Sequence, residues 1–213
     1  MPEPVKRTYN SPRRKQQAEA TRSQILRAAQ PLFEERGYSA ATMQAIAADA
    51  GVALKTVYLA FESKSGVLRA LWHLLLRGDE DDVAVASRRW YQEVLEEPDP
   101  VRKLRLNARN ARAVKQRVGS LLGVIRSGAP GDPDVGALWA RIQSDFYDNQ
   151  RTIVATIEEQ ALAPGLDVTR ATDILWTLNH PDVWLLLVGE RGWTADEFER
   201  WFGDVSVAQL VAG

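Results

Sequence analysis

Cysteine is absent from this 213-residue chain, and histidine occurs twice, at His73 and His180. The first absence excludes a disulfide scaffold, a thiolate metal site and a cysteine nucleophile. Two isolated histidines with no supporting motif do not make a zinc site. No Ser-His-Asp order, phosphate-binding loop or paired-carboxylate motif is visible, so neither an enzyme nor a cofactor is expected. The longest apolar run, Val183 to Gly189, falls far short of the roughly 20 residues that span a membrane. Met1 to Lys15 is polar and basic and lacks the apolar stretch of a secretory signal. The expectation is a soluble cytoplasmic protein without a membrane partner.

What is present is ordinary globular composition, 45% hydrophobic and 26% charged, with an uneven charge distribution. Residues 1–75 hold 11 Lys and Arg against 6 Asp and Glu, whereas residues 76–213 hold 16 against 22. The formal net charge of −1 therefore conceals a basic head on an acidic body. Such a head suits a polyanion, although chance clustering on a solvated surface would look the same.

Apolar spacing is helical throughout, with no strand-period segment, so the predicted fold is all-α. Residues 1–16 carry three prolines and five basic residues and read as a flexible basic arm. A first helix follows, with Ile25, Ala28, Ala29, Leu32 and Phe33 in register, kinked at Pro31 and stopped by Gly37. Thr42 caps a short helix to Asp49, a third helix covers Leu54 to Ala60, and a fourth runs from Lys64 to about Arg77. Longer helices are expected from Asp79 to Leu95, from Val101 toward Ser127, and from Val135 to about Ala161. Val168 to Asn179 and Val183 to Val188 flank Pro181, and a last helix is capped by Thr194.

The stretch from Thr42 to Lys64, TMQAIAADAGVALKTVYLAFESK, reads as helix, glycine turn, helix. Ala47 lets two helices cross closely, and Gly51 supplies the positive φ of a tight turn. This is helix-turn-helix spacing, whose second helix lies in the DNA major groove; an ordinary helical hairpin is the alternative. The second helix would expose Lys55, Thr56 and Tyr58, with Lys64 nearby as a further phosphate partner.

From about Thr21 to Leu68 the chain resembles the tetracycline-repressor (TetR) family of transcriptional regulators. The resemblance rests on Thr21, Arg22, Ile25, Leu26, Ala28, Ala29, Leu32, Phe33, Gly37 and Tyr38. It continues through Thr42, Ile46, Ala47, Ala50, Gly51, Val52, Thr56, Tyr58, Phe61, Ser63, Lys64 and Leu68. It implies a homodimeric repressor that binds a palindromic operator in double-stranded DNA and releases it when a small-molecule effector binds a second domain. Thr42, Thr56, Tyr58 and Lys64 fall where the family contacts the DNA backbone, and Lys55 falls on its base-reading helix. Ala53, Ala60 and Pro31 depart from the family pattern. The implied organisation is the arm at 1–16, a helix-turn-helix DNA-binding domain at 17–63, and a ligand-binding and dimerisation bundle at 64–213. A small-molecule-binding or enzymatic bundle without DNA function is the alternative.

All seven tryptophans lie beyond residue 70. Trp72, Trp90, Phe146 and Trp176 sit on segments the family uses for its cavity, and Asn107 is the polar candidate there on the same basis. Trp184 and Trp201 read as core or dimer packing. Eight basic residues between Val101 and Gly131 read as a solvated face, pairing with Asp79–Asp82 or Glu93–Glu97; neutralising an anionic effector or supporting DNA binding is the alternative.

Overall fold

The computed structural model describes residues 12–78 and 85–212. All elements but one isolated backbone bridge, Leu162 to Val211, are helical among these residues. Two compact units divide the chain, Met1–Leu71 and Trp72–Gly213. The division falls after Leu71, whereas the sequence reading has it at 63/64.

In the first unit, α1 (Pro12–Ala40) begins inside the segment read as an arm; residues 1–11 lie outside the described residues. Helical dihedrals persist through Pro31, and the break falls at Gly37, where φ is 72°. Ile25, Ala29, Leu32 and Phe33 are all but fully buried, as their spacing dictates. Thr42 opens α2 (Met43–Asp49) by accepting a hydrogen bond from the Ala45 amide at 3.1 Å. Gly51, at φ 63°, turns the chain toward α3 (Leu54–Phe61). Ala53 precedes α3 with no side-chain cap. The connection to α4 (Lys64–Arg77) is tight. A Cβ on Gly66 would lie 2.0 Å from the Phe61 carbonyl oxygen, so only glycine fits there. The Ser63 hydroxyl oxygen accepts from the Gly66 amide at 3.0 Å.

The second unit begins within α4. The segment expected as one helix from Asp79 to Leu95 is shorter. Asp79, Glu80, Asp81 and Asp82 lie outside the described residues. A single tight turn covers Val85–Ser87, Arg88 is extended, and α5 covers Arg89–Glu96. The next helices open on a repeated device, an acidic N-cap or its substitute, with proline in the first turn where three cases have it. Asp99 caps α6 (Pro100–Gly128), Asp132 caps α7 (Pro133–Val154), and Asp167 caps α8 (Val168–Leu178). His180 caps the short α9 (Pro181–Trp184). Thr194 and Glu197 form a reciprocal capping box at α10 (Ala195–Leu210). Bonds donated by Thr194 hold the Glu197 carboxyl below its ordinary range.

The helix expected to run to about Ala161 ends at Val154, because the Thr156 and Ile157 amides tighten onto the Ile153 and Val154 carbonyls. The unit's core gathers on α6, the longest helix in it. A Cβ on Gly203 of α10 would lie 3.4 Å from the Ala108 methyl, and Gly119 admits Trp184, whose Nε1 would lie 2.6 Å from a Cβ there. Phe198 meets Trp184 edge-on at 4.9 Å and stacks on Phe202 at 5.8 Å. Trp184 is core, as one of its two expected roles requires, while Trp201 packs at the margin against Trp193.

His180 Nδ1 accepts from the Asp182 amide at 3.1 Å, and Nε2 lies 2.5 Å from the Gln143 carboxamide. The atom placed there is Gln143 Nε2, and Gln143 Oε1 has no partner; a neutral imidazole has one N–H, so assigning that proton to His180 Nε2 requires the carboxamide in its reversed orientation. Burial, reinforced by Lys115 and Arg126 against Asp182, pushes the His180 pKa down.

Candidate nucleic-acid interface and ligand cavity

The nucleic-acid candidates gather on the first unit. Val57 and Phe61 bury one side of α3. Helical periodicity then presents Lys55, Tyr58 and Leu59 on the other. Tyr58 is 48% and Leu59 77% exposed. Thr56 is half-buried, and Thr42 is exposed at the head of α2. Two donors in Lys55 and Tyr58 beside an apolar tip in Leu59 form the kind of surface that reads phosphates, base edges and thymine methyls. Leu59 had no place in the sequence reading. Its signal was available, since an apolar residue one turn after Lys55 cannot share the buried side with Val57 and Phe61.

Lys64 does not project freely. Its Nζ donates to the Tyr38 carbonyl at 2.7 Å and lies 4.1 Å from the centre of the Tyr38 ring. It ties the start of α4 to the end of α1. A corresponding tie holds α3: Arg22 donates to the Ala60 carbonyl and covers the Phe61 ring. Gln24 donates to the Ala50 carbonyl at 2.7 Å, bracing the turn from the same helix. Arg22 thus holds the end of α3 from its buried side, while Gln24 holds the turn before it and Lys64 the junction of α1 with α4.

The second unit encloses a cavity of about 400 Å³, within the size range of small-molecule sites. Trp72, Trp90, Asn107 and Phe146 all border it. Trp176 does not. It turns toward Tyr147 at 6.0 Å and His180 at 4.9 Å, on the side of α8 that meets α7 away from the cavity. Tyr91, Val94, Ile142 and Ile153 complete the apolar wall. The polar part is a set of carboxamides: Asn107 donates to Gln150 at 3.0 Å with both residues buried, and Asn110 donates to the Trp90 carbonyl. Arg141 and Asp145 pair at 2.8 Å with exposed side chains on the same lining.

The basic run on α6 is not one solvated face. Lys103 and Lys115 are buried. Lys103 Nζ donates to the Leu95 carbonyl and to Thr156, and burial lowers its pKa, with Glu97 opposing. Arg105 pairs with Asp204, Arg112 with Asp196 and Glu199, and Arg126 with Asp182. Arg112 and Arg105 thus meet acids of α10, not Glu93–Glu97. The i, i+3, i+7 spacing places them under that helix. Among the described residues no cluster of His, Cys, Asp and Glu could hold a metal, and no helix is long and apolar enough to cross a membrane.

Comparison with known proteins matches this arrangement. Residues 25–71 fit the family of bacterial regulatory proteins, tetR family. The probable HTH-type transcriptional regulator ArpR of Pseudomonas putida is 29% identical over 198 residues, covering 89% of this chain and 91% of that protein. The solved SmeT–triclosan complex superposes with a TM-score of 0.69 at 20% identity, over 90% of this chain and 92% of the other. NalD, the secondary repressor of the MexAB-OprM multidrug efflux pump in Pseudomonas aeruginosa, superposes at 0.68 and 22% identity, over 92% and 98%. The two structures share the fold; the family model covers the recognition unit itself, from Ile25 through α3 to Leu71. With a helix-turn-helix in one unit and helices alone among the described regular elements of the other, the chain carries the tetR-family domain of bacterial regulatory proteins at residues 25–71, and over most of its length it is similar to HTH-type transcriptional regulators.

Proposed function

We propose that this regulator is a homodimeric repressor that holds a palindromic operator and releases it when a small molecule enters the cavity of the second unit. One observation carries the proposal: a single helix, α4, contributes Lys64 to the recognition unit and Trp72 to the cavity lining. A ligand that displaces Trp72 acts on the helix that bears Lys64. Operator and ligand then oppose each other through a coupling free energy, typically about 1–3 kcal/mol, which acts equally in both directions. In the dimer two α3 helices meet successive major grooves about 34–36 Å apart. Leu186 at 49% and Val168 at 36% exposure supply apolar surface on the last helices for the second copy. Release by a small molecule is supported by the triclosan bound to SmeT, and repression by the role of NalD.

A gel shift against DNA flanking the protein's own gene, with and without operator palindrome, tests the DNA reading, and sedimentation at micromolar concentration tests the dimer. Salt-sensitive binding of the palindrome by a dimer is expected. A monomer, or binding that ignores the palindrome, overturns the proposal.

A further inference from the structure

Lys115 is a fully buried cation without an anionic partner. It is 1% exposed, and its Nζ donates to both the backbone carbonyl, at 2.7 Å, and the side-chain oxygen of Asn179. The faces of Phe198 and Phe146 lie 5.3 Å and 5.8 Å away. No carboxylate of the described residues pairs with it. Desolvation alone brings its pKa down to about 7. The charged groups around it are already engaged. Arg112 is paired with Asp196 and Glu199 on α10, and Arg126 with Asp182 on α9. His180, at the head of α9, has its pKa lowered by burial and feels Lys115 as a positive neighbour. On α7, Asp145 is paired with Arg141 at the solvent-exposed part of the cavity lining, and Asp148 lies on the same lining.

Lys115 does not border the cavity, but Asn179 and Phe146 do. An ammonium has no lone pair, so it fixes the Asn179 carboxamide with its oxygen toward Lys115 and Nδ2 turned away. Asn179 is 4% exposed, and its Nδ2 bonds to no described residue. A carboxamide whose oxygen accepts from a cation is polarised, and its N–H groups become stronger donors. Asn179, a residue of the cavity lining, thus carries a buried donor that no described residue uses, backed by a positive charge without a counter-ion in a poorly screening interior.

We propose that the cavity receives a ligand with an acidic group, a carboxylate, sulfonate or phenolate on an aromatic body, and that this group docks on Asn179 Nδ2 with the Lys115 ammonium behind it. The inference rests on the reading of this cavity as the effector site. Trp72, Trp90 and Phe146 take the aromatic body, and the acidic group supplies the negative charge that Lys115 lacks.

The test uses the whole protein and two fluorescent probes of one skeleton. 8-Anilinonaphthalene-1-sulfonate is anionic, and N-phenyl-1-naphthylamine lacks the sulfonate. Affinities are measured for the wild type, Lys115→Met and Asn179→Asp, with circular dichroism as the check on folding. Lys115→Met should weaken the sulfonate about tenfold to a hundredfold, the range of one charge-assisted bond, and leave the neutral probe within about twofold. Asn179→Asp keeps the shape and gives Lys115 a fixed counter-charge, so it should exclude the sulfonate alone. In the wild type, with no substitution, the preference for the sulfonate should shrink from pH 6 to pH 10 as Lys115 loses its proton. Equal losses of both probes, an unaffected sulfonate, or a pH-independent preference each overturn the proposal. Operator binding by the ligand-free wild type reports separately on the repressor reading.

Discussion

Arg22 Nη1 donates to the carbonyl oxygen of Ala60 over 2.6 Å, at the end of α3. The guanidinium also covers the Phe61 ring at 4.1 Å from its centre. A short helix has little stability of its own, so such outside ties decide how firmly it is presented. Arg22→Ala should cost about 1–2 kcal/mol locally and raise amide hydrogen exchange across residues 56–61 before it affects the second unit. Unchanged exchange in α3 would show that the tie contributes nothing.

Lys55, Tyr58 and Leu59 share the exposed side of α3 and should have separable effects. Tyr58→Phe removes one phosphate donor, which should weaken binding across all sequences and lower the salt slope by up to about one unit. Lys55→Ala and Leu59→Ala should instead relax base preference, by about 1–3 kcal/mol for a direct base contact. A competition binding assay over randomised half-sites distinguishes the two outcomes. Identical sequence profiles for all three variants would remove α3 from its reading role.

Gly66→Ala places a Cβ 2.0 Å from the Phe61 carbonyl oxygen, a backbone atom that cannot step aside. The α3–α4 corner must open, at a cost of about 2–4 kcal/mol. Thermal unfolding followed by circular dichroism should show a lower Tm, with operator binding lost in parallel. A wild-type melting curve would mean that the corner is soft.

Stability should rise with pH above neutrality because of Lys115. Its folded pKa, about 7, lies below the ordinary lysine value of 10.5. Between these values the unfolded chain holds the proton and the native chain does not, so unfolding becomes less favourable as pH rises. Below about pH 7 both states are charged and the full burial cost applies. His180, also lowered, adds a second rise with the same sign below its ordinary 6.5. Urea unfolding at pH 6.5, 8 and 9.5 should give an increasing free energy in the wild type. In Lys115→Met that slope should flatten, and stability at pH 6.5 should exceed the wild type's. A slope unchanged by Lys115→Met would place the titration elsewhere.

The head was legible because its structure is local. Thr42, Gly51 and the Val57–Phe61 spacing each act within a few residues, and each does what the chemistry of caps, turns and helical faces requires. The cavity was legible only through family placement of Trp72, Trp90, Asn107 and Phe146. Spacing could not tell which side of α8 carries Trp176, since that depends on how α7 lies across it. Lys115 does not lie on the solvated face expected of the basic run. It lies four residues after Ala111 and three before Val118, both buried, so helical periodicity already placed it inside.

Ala53 leaves the first amides of α3 without a side-chain acceptor. The Thr56 amide turns back onto the Ala53 carbonyl at 2.8 Å; the amides before it are left to water, which gives a helix end little direction. A phosphate oxygen fills the same positions better, because it brings negative charge to the positive end of the helix dipole. On the proposed reading, an operator phosphate would complete α3 at its head while Arg22 holds its tail, so the helix would be finished at one end by the protein and at the other by the DNA.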